Sequence, residues 1–228
     1  MHPGIYIGLS GSIVQEEKLN VITTNLAFAN VPGYKKDAIT FQQYFLSTME
    51  KVKTDLSAGN IHNTGNSFDF AIQGEGYFTV KTPMGIGFTR RGDFSLDAKR
   101  RLVTKEGFLV LGKRGPIVVK GSKLEITSDA QVVVDGKVVD KLRIATFPTN
   151  NLLRLGTSLL VPPSGVSPSY RFSGEIWQGY LEESNVNVVK EMVNMVDVLR
   201  TYETCQKIVQ TIDETTGKAV NEVGSVRT

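Results

Sequence analysis

The sequence has little material for covalent stabilisation or metal chemistry. Cys205 is its one cysteine, so no disulfide can form within the chain and stability must come from packing. The helical pattern around Cys205 favours a small buried side chain over a reactive thiol. Only two histidines occur, His2 and His62, and neither has a second candidate ligand at metal spacing. We therefore expect no metal site and no cofactor.

Long apolar runs and a strong excess of one charge are also missing. No segment approaches the ~20 apolar residues that cross a membrane, so we expect no membrane insertion. The apolar run 5–14 has no basic segment before it and no small-residue cleavage site after it, which argues against a cleaved signal peptide. The 26 basic and 23 acidic residues leave a formal net charge of +3, too small to favour a nucleic-acid partner.

Sets of catalytic residues are absent too. No serine, histidine and aspartate can be grouped as a nucleophilic triad, and no nucleophile elbow occurs. Gly74-Glu75-Gly76 lacks the following helix of a dinucleotide-binding turn and is interpreted as a β-turn. Arg91-Gly92-Asp93 spells an adhesion tripeptide, but three residues recur by chance, and a turn between strands is favoured. The sequence therefore predicts a protein that is not an enzyme.

What is present is a helical pattern at each end. Apolar residues over 5–30 recur at the three-four spacing of one helical face, and Pro32-Gly33 stops this pattern. Over 184–216 a second pattern begins near Ser184-Asn185, both good N-cap residues, and its apolar stripe is wider than a two-position seam. A wide stripe suits contact with several neighbouring helices. The stripe residues expected to pack between subunits are Leu9, Ile13, Leu19, Ile22, Leu26, Val188, Met192, Met195, Val196, Leu199, Tyr202 and Val209.

Between the helices the period of the sequence changes to two. Short strands with turns every ~8–12 residues run from Phe68 to Leu181, and Asp97–Arg100 and Asp135-Gly136 are hairpin turns. Pro116–Val119 is one of the predicted strands, and Pro162–Ser173 is predicted to be a loop. This pattern indicates an antiparallel sandwich or barrel-like domain.

The fold class is therefore α+β, with long terminal helices in a coiled-coil-like layer and an inserted, mainly antiparallel β domain. We divide the chain into a helical assembly domain (1–34 and 183–228), an extended connector (35–66) with one short helix or strand, and a β domain (67–182). Because a helix pair is a poor core, the stripes predict self-assembly into a homo-oligomer. The alternative is that the two helices simply pair within one globular fold.

Three segments carry a family resemblance. They read NLAFANVPGYK at 25–35, TGNSFDFAIQGEGYF at 64–78 and QGYLEESNVNV at 178–188, the last leading into a helix with Met192, Met195 and Arg200. In order and spacing they resemble the signatures of flagellar rod and hook axial proteins, most closely basal-body rod proteins of the FlgF/FlgG type. The matching positions are Asn25, Leu26, Asn30, Pro32, Gly33, Tyr34, Gly74, Gly76, Gln178, Gly179, Ser184, Asn185, Val186, Arg200, Tyr202 and Glu203.

The resemblance implies a structural subunit of the bacterial flagellar basal-body rod. It implies that the terminal helices pack as an inner layer, that copies stack helically into a tube which transmits torque from motor to hook, and that other rod and hook proteins are partners. It further implies passage through the type III export apparatus without cleavage. Phe28 and Val31 replace residues usual in the family, so we expect an apolar contact there instead of a hydrogen-bonded cap. The length of 228 residues favours the FlgF-like, proximal branch.

An alternative interpretation of the sequence is a soluble β module that binds a surface or cell-wall ligand. It would use exposed aromatic residues such as Tyr77, Tyr170 or Trp177, with the helices as braces. Trp177 is, however, more simply explained by packing at the junction between strand and helix.

Overall fold

Two helices of unequal length lie at the ends of the described chain. The computed structural model describes residues 3–38, 53–148 and 152–225. Helix α1 runs from Pro3 to Ala27, and helix α2 runs from Val188 to Ser225. Proline suits the first position of α1 because the amide it lacks would have no helical partner there. Asn187 caps α2, since its Oδ1 accepts a hydrogen bond from the backbone N of Lys190 at 3.0 Å.

The helices belong to one compact unit, made of residues 1–27, 37–52 and 187–228. Within it α1 and α2 run antiparallel and pack closely through glycines. A Cβ added at Gly4 would lie 2.6 Å from Ile212 Cδ1, one at Gly8 would lie 2.6 Å from Val209 Cγ2, and one at Gly11 would lie 3.0 Å from Cys205 Sγ. The glycines rise along α1 as their partners descend along α2, which fixes the direction of the pair.

The second unit comprises residues 28–36 and 53–186 and contains most of the strands. The strands of the described chain are β1 (Asp37–Ala38), β2 (Lys53–Thr54), β3 (Ile61–Asn63), β4 (Phe70–Gln73), β5 (Tyr77–Thr82), β6 (Gly85–Thr89), β7 (Ser95–Leu96), β8 (Leu102–Val103), β9 (Leu109–Val110), β10 (Leu124–Ile126), β11 (Gln131–Val134), β12 (Lys137–Lys141), β13 (Ile144–Ala145), β14 (Leu153–Leu155), β15 (Leu159–Val161), β16 (Glu175–Gln178) and β17 (Tyr180–Glu182).

Within the second unit these strands form four antiparallel sheets. The largest has the order β14-β15-β6-β5-β9-β8-β7, and β13 also pairs with β5. A three-stranded meander has the order β10-β11-β12, and two further pairs are β16 with β4 and β17 with β3. Each of the last two pairs joins a strand near the start of the unit to one near its end, so long-range pairing closes the domain.

Two buried clusters form the core of the second unit. The larger includes Phe70, Phe78, Phe94, Leu102 and Val132, and Phe78 meets Phe94 edge to face at 5.1 Å between ring centroids. The smaller gathers Phe88, Leu152 and Leu160 with their neighbours. Edge-to-face contact is a favoured arrangement of aromatic rings, and this unit therefore has a core of its own.

The α+β class with an antiparallel β domain between terminal helices is confirmed. Asp135 and Gly136 connect β11 to β12 with φ of 48° and 78°, as a tight hairpin turn requires. Asp97–Arg100 connects β7 to β8 as expected, and Arg100 has a positive φ of 58°. Residues 162–173 contain no helix or ladder strand. The mixed run predicted at 39–49 lies outside the described residues.

Two expectations about element bounds are wrong. The C-terminal helix starts at Val188 and not near Ser184-Asn185, because the Asn185 amide binds backbone groups at Lys36, Asp55 and Ser57 instead of capping a helix. Pro116–Val119 makes only isolated bridges, at Pro116 and Val118. Proline has no N–H to donate to a ladder, which weakens that segment as a strand.

Candidate assembly surface and the junction of the sequence motifs

Helix α1 exposes large apolar side chains on the side away from α2. Tyr6, Leu9 and Ile13 are 67%, 55% and 49% exposed, and at 100° per residue they lie opposite the face of Gly4, Gly8 and Gly11. Ile7 is also exposed, on a side of the helix closer to the glycine face. We call these four residues the α1 patch. Residues 3–15 contain no charged side chain, so this surface can be covered without desolvating a charge.

Helix α2 exposes a second apolar surface near its start. We call it the α2 patch; it consists of Val188, Val189, Met192, Val193, Val196 and Leu199. The most exposed member, Val189, is 72% accessible. The rest of α2 is mostly polar where it is exposed, so the apolar surface is concentrated in its first twelve residues.

A different face of α2 is turned inward. Glu191, Met195, Val198, Tyr202, Cys205, Val209, Ile212 and Thr216 are buried or half-buried. Their spacing alternates between four and three residues, the pattern of a helix that packs along one partner. The α2 patch is rotated by about a third of a turn from this inner face. Helix α2 thus presents two apolar faces, and α1 contacts one of them.

The residues predicted to pack between subunits fall into two groups. Leu9, Ile13, Val188, Met192, Val196 and Leu199 are exposed. Ile22 is buried, whereas Leu19, Leu26, Met195, Tyr202 and Val209 are half-buried. The prediction from the sequence therefore combined exposed and inward-facing residues of the helices into a single apolar stripe. The three contact glycines of α1 were missed, although their spacing of four and three residues was a readable signal.

The first and third family motifs meet in the second unit, at a site we call the junction (residues 33–36, 55–60 and 182–185). Gly33 N donates to Glu182 O at 2.7 Å, and Asn185 Oδ1 accepts from Lys36 N at 2.7 Å. The Asn185 amide donates to Asp55 O at 2.8 Å. Gly33 has a φ of 65°, and an added Cβ would lie 2.5 Å from the backbone of Arg90, so the position requires glycine.

A buried carboxylate lies at the centre of the junction. The Glu182 side chain is 1% exposed. Its Oε1 accepts hydrogen bonds from Lys35 Nζ at 2.5 Å and from Gly59 N at 3.0 Å. Its Oε2 accepts a hydrogen bond from Arg90 Nη1 at 3.2 Å. Lys35 Nζ also donates to Ser57 O at 2.6 Å. Burial lowers the pKa of Lys35 and outweighs the opposite influence of the Glu182 carboxylate. One buried anion therefore holds two cations in place.

Tyr34 fills the space beside this carboxylate. It is fully buried, stacks on Phe28 at 5.4 Å and lies under the Arg154 guanidinium at 4.3 Å. Arg154 also donates to Lys35 O. The expected apolar contact at Phe28 is confirmed, and the role of Arg154 was not visible in the sequence motifs.

The middle motif forms a hydrogen-bonded loop around Asp69. Thr64 Oγ1 and Asn66 Nδ2 donate to its two carboxylate oxygens at 2.7 and 3.0 Å, and Gly179 N donates to Asp69 O at 2.8 Å. The Gln178 amide donates to Ser67 O and Leu124 O and accepts from Ile126 N. These polar motif residues hold the β domain together.

The chain is similar to known proteins over nearly its whole length. Residues 71–140 match the "Flagellar hook protein FlgE/F/G D1 domain", and residues 178–222 match the "Flagellar basal body rod FlgEFG protein C-terminal" family. The chain is 32% identical to the flagellar basal-body rod protein FlgF of Mesorhizobium japonicum, with 99% of each chain covered. The chain belongs to the flagellar basal-body rod protein family.

Other family members match over nearly the same extent. FlgF of Rhizobium meliloti is 29% identical with both chains fully covered, and FlgG of Bacillus subtilis is 30% identical with 95% of this chain and 97% of the relative covered. Proteins of the rod family are structural components of the flagellar basal body. The resemblance to this family that the sequence motifs predicted is confirmed. Relatives of both the FlgF and FlgG types match, so the branch favoured by chain length stays a prediction.

The remaining motif positions of this rod protein have varied settings. Asn25 is buried, and its side-chain amide both donates to and accepts from the backbone of Asp37. Leu26, Pro32, Ser184 and Val186 are half-buried, and Asn30, Arg200 and Glu203 are exposed. Gly74 and Gly76 connect β4 to β5 with φ of 109° and 142°. The chain bends here between two strands, and β4 pairs with β16 and not with β5.

The aromatic residues that a ligand-binding β module would use are not grouped on one surface. Tyr77 is buried, Tyr170 lies under the Arg143 guanidinium at 3.9 Å, and Trp177 packs edge-on against Tyr180 on the last two strands. Arg91 and Asp93 pair with each other at 2.6 Å, so the charges of the adhesion tripeptide are already engaged. Asp93 forms an isolated antiparallel bridge with Asp69, and the expected turn is not found at these residues.

Residues 3–38, 53–148 and 152–225 contain no cluster of candidate metal ligands and no candidate membrane-spanning helix. No three histidine, cysteine or acidic side chains there cluster as metal ligands. Neither described helix has the length and apolar character needed to span a bilayer.

Proposed function

We propose that this protein is a structural subunit of the flagellar rod which assembles helically through its terminal helices and transmits torque from motor to hook. The helices would form a coiled-coil-like inner layer of the tube. Its partners would be further copies, the other rod and hook proteins and, in transit, the type III export apparatus. It would act in the periplasm-spanning rod after export without cleavage.

One observation carries this proposal: the helical unit lacks an adequate core of its own. Among its described residues Ile22 is the one large hydrophobic side chain that is buried, whereas ten others are strongly exposed on the α1 and α2 patches. A monomer rarely leaves two apolar surfaces of this kind in water unless partners cover them. The second unit, by contrast, buries two hydrophobic clusters.

The magnitudes favour several partners per subunit. Full burial of a Val, Leu or Met side chain is worth about 1.5–3 kcal/mol, so covering the exposed parts of ten such side chains contributes about 10 kcal/mol. Association costs about 4–15 kcal/mol in lost freedom. A single neighbour that covers half the surface would thus bind weakly. A subunit that contacts neighbours on both patches would bind well, and assembly is expected to be cooperative.

The test is the effect of one buried charge on self-association. Met192 is 54% exposed in the α2 patch, and Met192→Asp would place a carboxylate in the interface. An unpaired charge in an apolar contact costs several kcal/mol, so the association constant is expected to fall by at least about 100-fold. Sedimentation velocity over a concentration series measures this change.

Gln210→Asp is the matched control. Gln210 is exposed on the polar part of the same helix, and its replacement adds the same charge outside both patches. Circular dichroism would verify that both variants fold. Equal self-association of the two variants, or a wild-type protein that stays monomeric at its solubility limit, would refute the proposal.

A further inference from the structure

We infer that a basic corner of the second unit is a contact surface for an acidic segment of another protein. The basic corner consists of residues 98–101, 119–123 and 135–138. It contains six cationic side chains and a single carboxylate, that of Asp135. The whole chain has 26 basic and 23 acidic residues, so this imbalance is local to the corner.

Hydrogen bonds hold the three segments of the basic corner together. Arg100 O accepts from Val119 N at 2.8 Å, and Arg100 Nε donates to Val119 O at 2.7 Å. On the other side, Asp135 Oδ1 accepts from the backbone N of Ser122 at 3.1 Å and from that of Lys123 at 2.9 Å. Residues 119–123 therefore lie between the other two segments, and the corner is one continuous surface.

Half of the cations in the basic corner have no anionic partner within the chain. Arg101 and Lys123 each pair with a nearby carboxylate. Lys99, Lys120 and Lys137 are exposed, and no carboxylate of the described residues lies within ion-pair distance of them. Cations gathered on one surface repel one another and attract anions from solution. The corner is thus electrostatically prepared for an anionic partner.

An exposed valine lies beside these cations. Val138 is 61% exposed, follows Lys137 and lies opposite the half-buried Val133 in the pairing of β11 with β12. An apolar centre with a charged rim is the usual anatomy of a protein–protein contact. A lysine on an edge strand can also prevent unwanted strand pairing, which would explain Lys137 on β12. That reason does not apply to Lys99 and Lys120, which lie outside the strands.

The chemistry of the basic corner favours carboxylates over other anions. The corner has no aromatic residue, whereas proteins that bind single-stranded nucleic acids stack bases on aromatic rings. Arginine binds phosphate with two parallel hydrogen bonds, but the Arg100 guanidinium already donates to two backbone carbonyls. Peripheral membrane binding uses several large apolar side chains, and Val138 is the one exposed apolar residue of its segment. We therefore assign the corner to a segment with carboxylates around an apolar residue.

Fluorescence anisotropy with the full chain tests this assignment. The probe is a labelled peptide of glutamates around one central leucine, at an ionic strength of ~0.1 M, where charges more than ~10 Å apart are largely screened. Lys120→Glu combined with Lys137→Glu places like charges against the peptide, so the affinity is expected to fall at least about tenfold. Lys120→Gln with Lys137→Gln removes the charges without adding repulsion and should give a smaller loss.

Lys81→Glu combined with Lys105→Glu is the matched control. Both lysines are exposed outside the basic corner, on β5 and between β8 and β9, and the change in net charge is the same. This variant should keep the affinity of the wild type, and circular dichroism verifies that all variants fold. A probe with serine in place of leucine should bind more weakly, because it offers no apolar contact to Val138.

Three outcomes would overturn the inference. The first is a wild-type protein that does not bind the acidic peptide. The second is an equal loss of affinity in the corner variant and the control, which would show that net charge alone attracts the probe. The third is tighter binding of a single-stranded polynucleotide, a sulfated polysaccharide or phosphatidylglycerol vesicles, which would assign the corner to another class of partner. None of these results bears on self-association, so the proposed function is tested separately.

Discussion

Removal of the buried carboxylate of Glu182 is expected to destabilise the second unit severely. Its side chain is 1% exposed and contacts Lys35 and Arg90, which are themselves 3% and 8% exposed. Glu182→Ala leaves both cations buried without their anion. Breaking a buried ion pair in this way costs about 3–5 kcal/mol, a large part of the ~5–15 kcal/mol that stabilises a typical domain. The melting temperature is expected to fall by roughly 10 °C for a unit of this size.

The single tryptophan makes this change measurable. Trp177 lies on β16 of the same unit, so urea unfolding followed by its fluorescence reports on the second unit, while circular dichroism at the helical minimum reports on α1 and α2. Glu182→Gln keeps the shape of the side chain and removes only its charge. We expect most of the loss to persist in this variant, because the interaction with the two cations is what disappears.

Glu183→Ala is the matched control for the neighbouring residue. Its side chain is 51% exposed and lies 3.5 Å from His62, and exposed pairs of this kind contribute less than about 1 kcal/mol. If Glu182→Ala and Glu183→Ala unfolded at the same urea concentration, the buried carboxylate would not stabilise the junction and the argument from burial would be wrong.

Three further results are expected. Gly217→Ala, where the added Cβ meets open space, should stabilise α2 by up to about 1 kcal/mol, whereas Gly8→Ala should bring no gain because its Cβ would lie 2.6 Å from Val209; thermal melts followed by circular dichroism compare them. Burial lowers the pKa of Lys35 in the folded protein. Between this lowered pKa and the ordinary lysine pKa, the unfolded chain binds more protons than the folded chain, so the free energy of unfolding rises with pH. Urea titrations at alkaline pH should show this rise in the wild type and not in Lys35→Met. Amide exchange in the free subunit should be faster in α1 and α2 than in β5, and the difference should narrow on assembly; equal protection in the monomer would contradict it.

The sequence predicted the parts of this structure that depend on local chemistry. Hairpin turns at Asp97–Arg100 and Asp135-Gly136 follow from residues that accept positive φ, and the change of apolar period separates helices from strands. The helix start was missed because Asn185 and Asn187 are equally good caps by type. Only the tertiary partners of the Asn185 amide, at Lys36 and Asp55, decide between them.

The candidate site was less predictable because it depends on which faces meet. A count of apolar residues gives weight to Leu9 and Ile13, yet the first part of the α1 face that contacts α2 carries Gly4, Gly8 and Gly11. Glycine adds nothing to an apolar stripe, although it allows two backbones to approach closely. Likewise, the junction includes contacts between residues far apart in the sequence, such as Lys35 and Glu182, which are 147 positions apart. Motif matching identified these segments without showing that they touch.

The glycine contact and the exposed patches are linked by a physical argument. Because Gly4, Gly8 and Gly11 bring α1 close to α2 without using large side chains, the first part of α1 contributes little apolar surface to the intramolecular contact. Tyr6, Leu9 and Ile13 consequently remain available for other molecules. Had large residues occupied these three positions and packed well, the pair would have been more stable alone and would have had less to gain from assembly. If the proposed assembly holds, the helical unit gains stability from its neighbours, whereas the second unit, with its hydrophobic clusters and buried Glu182, is expected to remain folded before and after assembly.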